Sequence, residues 1–69
     1  MSDHVYSVSE IVGTSPDGVE PAVRNALARA RKTLRNLDWF ETTEIRGHID
    51  DAGDIDYWQV TLKLGFRME

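Results

Sequence analysis

The chain has no cysteine, and that absence removes two devices by which small domains reinforce a thin core, the disulfide framework and the thiolate zinc site. Its two histidines, His4 and His48, stand far apart without HxxxH or HxH spacing, so no metal centre is expected. No apolar run approaches the roughly 18 residues that span a bilayer, and no charged-then-apolar leader precedes the first strand-like segment. A cytoplasmic protein with no membrane partner is the expectation, and the lack of cysteine fits a reducing compartment. The net charge of -4 leaves no general cationic surface for phosphate backbones, so nucleic acid is not an expected partner.

At 69 residues the chain is one domain, residues 1–69, near the lower limit at which a core holds a fold alone. With disulfides and metal set aside, oligomerisation remains as the source of extra burial. Charge is unevenly placed. Arg24, Arg29, Arg31, Lys32 and Arg35 crowd one segment, and Asp50, Asp51, Asp54 and Asp56 another. The basic block is either an anion-binding surface or a solvated helix face with cations biased to the C-terminal end, as the macrodipole favours.

The pattern along the chain is strand, helix, strand, strand. Tyr6 to Val12, closed by Gly13, has strand composition. Thr14-Ser15-Pro16-Asp17-Gly18 is turn and helix-entry chemistry, with Ser15 or Asp17 able to cap and Asp17 and Glu20 at capping-box spacing. Pro21 belongs in a first turn, which sets the helix start near Asp17. Val19, Ala22, Val23, Ala26, Leu27, Ala30, Leu34 and Leu37 recur at three- and four-residue spacing and predict one amphipathic helix to about Asn36.

The C-terminal half alternates. Thr43, Ile45, Gly47 and Ile49 oppose Glu44, Arg46 and His48 in parity, and in the last segment Trp58, Val60, Leu62, Leu64, Phe66 and Met68 oppose Gln59, Thr61, Lys63 and Arg67. Asp50-Asp51-Ala52-Gly53-Asp54 is a turn, so the two runs form a hairpin. Any register that joins the apolar sets puts Arg46 with Gln59, Thr61 and Arg67 on the opposite face. The fold expected is α+β: a β-α-β-β subunit with a three-stranded antiparallel sheet wrapped around one amphipathic helix.

No catalytic constellation is present, and the chain is not expected to be an enzyme. Glu41 and Glu44 and the acidic turn read as solvated carboxylates, no nucleophile elbow aims a hydroxyl, and Gly13 with Gly18 makes neither GxGxxG nor a P-loop. A binding constellation is better supported: the indole of Trp39, the amide of Gln59 and the guanidinium groups of Arg46 and Arg67. Composition alone favours a core role for a tryptophan, and Trp58, which opens the apolar parity set, reads as that core residue.

Glu10-Ile11-Val12-Gly13-Thr14-Ser15, Leu37-Asp38-Trp39-Phe40-Glu41, Ile45-Arg46-Gly47, Gln59-Val60 and Gly65-Phe66-Arg67 together resemble the dodecin family of small flavin-binding proteins, over nearly the whole chain. The resemblance implies a hollow homododecamer that stores and sequesters flavin, with paired isoalloxazine rings sandwiched between tryptophans of neighbouring subunits. On this chain it makes Trp39 the stacking residue and Gln59 the polar group on the ring system, with Arg46 and Arg67 near the flavin or its phosphate. It adds Asp38, His4 and Tyr6 as site-lining residues. FMN is the implied ligand, with riboflavin or FAD as related forms, and coenzyme A is a further ligand for which Arg29, Lys32 and Arg67 are candidates. An indole touching an excited flavin quenches its emission by electron donation. The rival readings are a structural oligomer or interaction module that binds anionic partners through the basic helix face, and, with little motif support, an enzyme acting on a nucleotide or coenzyme.

Alternation conflicts with this site at one point. Strict parity from Ile45 back to Trp39 puts the indole on the apolar face, opposite Arg46. A stacking role therefore requires a bulge or bend between residues 40 and 44, or a subunit edge.

Overall fold

Val60, Leu62 and Leu64 are fully buried, as expected of every second residue on the inner face of a central strand. In the computed structural model, which describes residues 3–68, they belong to the middle strand of a three-stranded antiparallel sheet. The elements in chain order are β1 (Tyr6–Ser15), α1 (Val19–Ala30), β2 (Leu37–Ile49) and β3 (Ile55–Arg67). The sheet order is β1-β3-β2, with β3 paired antiparallel to both neighbours.

Ala22, Val23, Ala26 and Ala30 of α1 pack on Val60, Leu62 and Leu64, with Ile11, Val19, Leu27, Leu34 and Leu37 around them. Small side chains let the helix come close to the sheet, and Gly13 completes that approach. A Cβ at residue 13 would collide with the Ala22 carbonyl oxygen and the Ala26 methyl group. Asn25 ties the same contact from the side, its Nδ2 donating to the Thr14 carbonyl at 3.0 Å.

The helix is shorter than its periodicity predicts. It ends at Ala30, after which Lys32 and Thr33 donate to carbonyls three residues back and Leu34 still donates to Ala30 at 2.9 Å. Asn36 then takes a left-handed conformation, φ 61°. Leu34 and Leu37 continue the apolar spacing because both still reach the core, but from non-helical backbone. The start also differs from expectation. Gly18 is the N-cap and no side chain caps the helix. Ser15 Oγ instead accepts from the Asp17 amide at 3.0 Å, and Glu20 pairs with Arg24 at 2.6 Å rather than closing a capping box. Pro21 sits in the first turn, where its missing N–H leaves no helical bond unmade.

A helix of 12 residues is ~18 Å long at ~1.5 Å per residue, whereas a strand of 13 residues spans roughly 43 Å at ~3.3 Å per residue. Much of the sheet therefore extends past its cover, and the molecule measures 56 × 21 × 14 Å. The helix packs on β1 and β3, and inner-face residues of β2 stay open, Phe40 at 48% and Ile45 at 56% exposure. Trp58 lies in this uncovered part. It is half-buried and outside the core, its ring alongside Gly47, so the core role expected of it is corrected. At the hairpin turn, Asp50 Oδ1 accepts from the amides of Ala52 and Asp54 at 2.9 and 3.0 Å. That assigns one acidic residue of the turn to holding its shape.

Candidate functional site

The register of β2 on β3 slips at Thr43, between the pairs Thr42↔Leu62 and Glu44↔Thr61. The additional residue is anchored by its hydroxyl, which donates to the Thr61 carbonyl at 3.3 Å. One extra residue inverts the parity of the residues before it back to Trp39, and a second slip between Leu37 and Trp39 returns Leu37 to the core side. Downstream, Ile45 opposes the buried Val60 and Arg46 opposes Gln59; upstream, Phe40 opposes the buried Leu64 and Trp39 opposes Gly65. The slip thus turns Trp39 away from the helix and onto the face that carries Arg46 and Gln59, resolving the conflict that strict alternation posed.

Trp39 is 40% exposed. Its indole lies across Gly65, where any Cβ would run into the ring. One ring face is thereby supported by backbone. Beside it Tyr6, the β1 partner of Arg67, holds its ring centroid 5.9 Å from the indole at 57°. The Tyr6 hydroxyl donates to Asp38 Oδ2 at 2.7 Å. That hydrogen bond, then burial, then the negative charge of Asp38 raise the phenol above its ordinary value of 10.0, with the positive charge of Arg67 opposing. His4, which precedes β1 rather than belonging to it, packs edge-on to Tyr6 at 6.3 Å. Trp39, Asp38, Tyr6, His4 and Arg67 therefore form one cluster at one end of the sheet.

Arg46 and Gln59 form another. They are direct cross-strand partners, but Gln59 stands six positions along β3 from Gly65, the partner of Trp39, which is about 20 Å at ~3.3 Å per residue. The expected grouping of Trp39 with Gln59 and Arg46 is thus split within one subunit, on a shared face. Arg46 Nη2 lies 3.3 Å from Glu44 Oε1, with both side chains more than half exposed, a surface pair that contributes ~0–1 kcal/mol. Gln59 Oε1 is 2.9 Å from His48 Nε2, and His48 stacks on Tyr57 at 4.2 Å and 14°. Sequence parity put His48 beside Arg46 but gave no sign of its bond to Gln59 or of its stacking on Tyr57.

A cleft of about 330 Å³ opens between α1 and the start of β2, lined by Arg24, Leu27, Ala28 and Arg31 from the helical side and by Leu37, Asp38, Trp39 and Phe40 from the strand. Arg29, Lys32 and Arg67, the residues expected to meet an anion, do not line it; Arg24 and Arg31 do. Arg24 is already bonded to Glu20 through both Nε and Nη2. Among the described residues no helix is long and apolar enough to cross a membrane.

The sequence matches the Dodecin family profile over residues 5–69. The chain belongs to the dodecin family. It is 62% identical to the dodecin of Thermus thermophilus over 65 residues, covering 94% of this chain and 93% of that one. The calcium dodecin of Mycobacterium tuberculosis is 36% identical over 64 residues, covering 93% and 89%. Among solved structures, dodecin from Streptomyces coelicolor superposes with a TM-score of 0.90 at 65% identity, covering all of this chain and 97% of the other. The β-α-β-β subunit and its antiparallel sheet are those of the dodecin structures.

Proposed function

We propose that this dodecin binds flavin, FMN foremost, without catalytic turnover, stacking the isoalloxazine ring on Trp39 and so storing it and shielding its photochemistry. The observation that carries the reading is the indole turned outward by the slip at Thr43, with one face on Gly65 and 40% of the residue exposed. A supported, exposed ring beside polar groups is what a flat aromatic ligand needs, since stacking gains dispersion and desolvation with little demand for shape-specific contacts.

The separation of Trp39 from Gln59 adds a condition. Roughly 20 Å along a strand is longer than the three fused rings, so one ligand reaches both groups only when they come from different subunits. A homo-oligomeric shell, the homododecamer, supplies that arrangement, and the uncovered Phe40 and Ile45 give the subunits apolar surface to bury against one another. In this assembly Gln59 of a neighbouring copy approaches the ring stacked on Trp39, and Arg67 lies beside the indole for a phosphate. When bound, the flavin supplies only its chromophore; the protein residues bind, orient and exclude water.

Equilibrium dialysis against FMN, run with gel filtration and light scattering, tests the reading. Uptake confined to the assembled species, with no more than one flavin per subunit, is expected. Assembled protein that takes up no flavin contradicts it.

A further inference from the structure

Gln59 is half-buried between Thr14 on β1 and Arg46 on β2, its two cross-strand partners. Arg46 is drawn to Glu44 at 3.3 Å. The side-chain hydrogen bond that Gln59 makes is to His48, 2.9 Å from Nε2 to Oε1. The imidazole is held for this contact from the other strand: His48 and Tyr57 are register partners, and their rings stack at 4.2 Å and 14°.

A primary amide offers a donor at one end and an acceptor at the other, and its two orientations fill the same volume. What selects between them is the partner. We propose that His48 is a positioning residue that fixes the donor–acceptor order of the Gln59 amide. With Nε2–H donating to Oε1, the Gln59 NH2 group is turned away from the histidine with both hydrogens available, and Oε1 keeps one free lone pair. With the other tautomer, Nε2 accepts, the amide reverses, and the NH2 group is consumed internally.

The inference rests on the flavin reading and sharpens it. The pyrimidine edge of an isoalloxazine carries one N–H donor flanked by two carbonyl acceptors. An amide of fixed order pairs with that N–H and one of the two carbonyls, so His48 decides which carbonyl is met. Tyr57 shares the task by holding the imidazole in plane.

The test has two arms. In the intact, ligand-free protein, 15N NMR reads the His48 tautomer directly, and protonated Nε2 with unprotonated Nδ1 is expected; Nδ1–H with a bare Nε2 overturns the proposal. In FMN titrations, His48→Phe keeps a ring for Tyr57 but removes the donor, and is expected to weaken binding about two- to tenfold, the equivalent of one hydrogen bond. The same substitution placed on Gln59→Ala is expected to change nothing further, because its effect passes through that amide. Unchanged affinity in His48→Phe, or an equal loss on the Gln59→Ala background, overturns the proposal while leaving the flavin reading intact. Wild-type protein that binds no FMN overturns both.

Discussion

The indole of Trp39 lies across Gly65, its cross-strand partner, in space that any side chain at 65 would fill. A strand position without a side chain is here a seat for a neighbour's ring. Gly65→Ala is therefore expected to displace Trp39, change the near-ultraviolet circular dichroism, and weaken FMN uptake roughly tenfold, about 1.4 kcal/mol. Unchanged dichroism and unchanged uptake together would show that the ring does not depend on that seat.

Thr43 is the residue whose insertion turns Trp39 outward. Deleting it restores strict alternation, which moves Trp39 to the helix side and Phe40 to the outer face. The expected outcome is a folded protein with a blue-shifted tryptophan emission and no flavin uptake. Retained uptake would mean that the strand finds the same indole position without the slip.

Gly13 sits where a methyl group would meet the Ala22 carbonyl oxygen and the Ala26 side chain. Backbone cannot yield as a flexible side chain does, so Gly13→Ala is expected to cost about 1–3 kcal/mol by overpacking. Urea denaturation checks this, and a midpoint equal to the wild type's would contradict the close packing of helix on sheet.

The raised ionisation of Tyr6, caused first by its hydrogen bond to Asp38, has a definite sign. The folded state keeps the phenolic proton longer than the unfolded state, so the stabilisation is complete below the ordinary phenol value and is lost as pH climbs through the higher folded value. Asp38→Asn removes the charge and weakens the acceptor. Tyr6 is then expected to ionise at a lower pH than in the wild type, which a 13C NMR titration of the tyrosine ring carbons resolves from Tyr57. An unmoved titration would show that Asp38 does not act on the phenol.

Much of this architecture is legible in the residues. Val60, Leu62 and Leu64 follow two-residue alternation, the hairpin follows from the acidic turn, and the sheet face shared by Arg46 and Gln59 follows from parity; the irregularity between residues 40 and 44, or else a subunit edge, is required only when parity is set against the stacking role that the family resemblance gives Trp39. Three features are not legible, for identifiable reasons. Leu34 and Leu37 keep helical spacing while packing from non-helical backbone, so periodicity overstates the helix by about a turn and a half. Trp58 has core parity, but a short helix cannot cover a long strand to its end. The split between Trp39 and Gln59 depends on register, which fixes distance along the strands and which side-chain alternation alone does not reveal.

The measurement that bears most directly on the account is a titration of the assembled protein into FMN, followed by flavin emission, for the wild type and for Trp39→Ala. The wild type is expected to bind and to extinguish the emission as the ring stacks on the indole; Trp39→Ala is expected to remain assembled and leave the flavin free and bright. Equal binding and equal loss of emission in the two proteins would contradict the account.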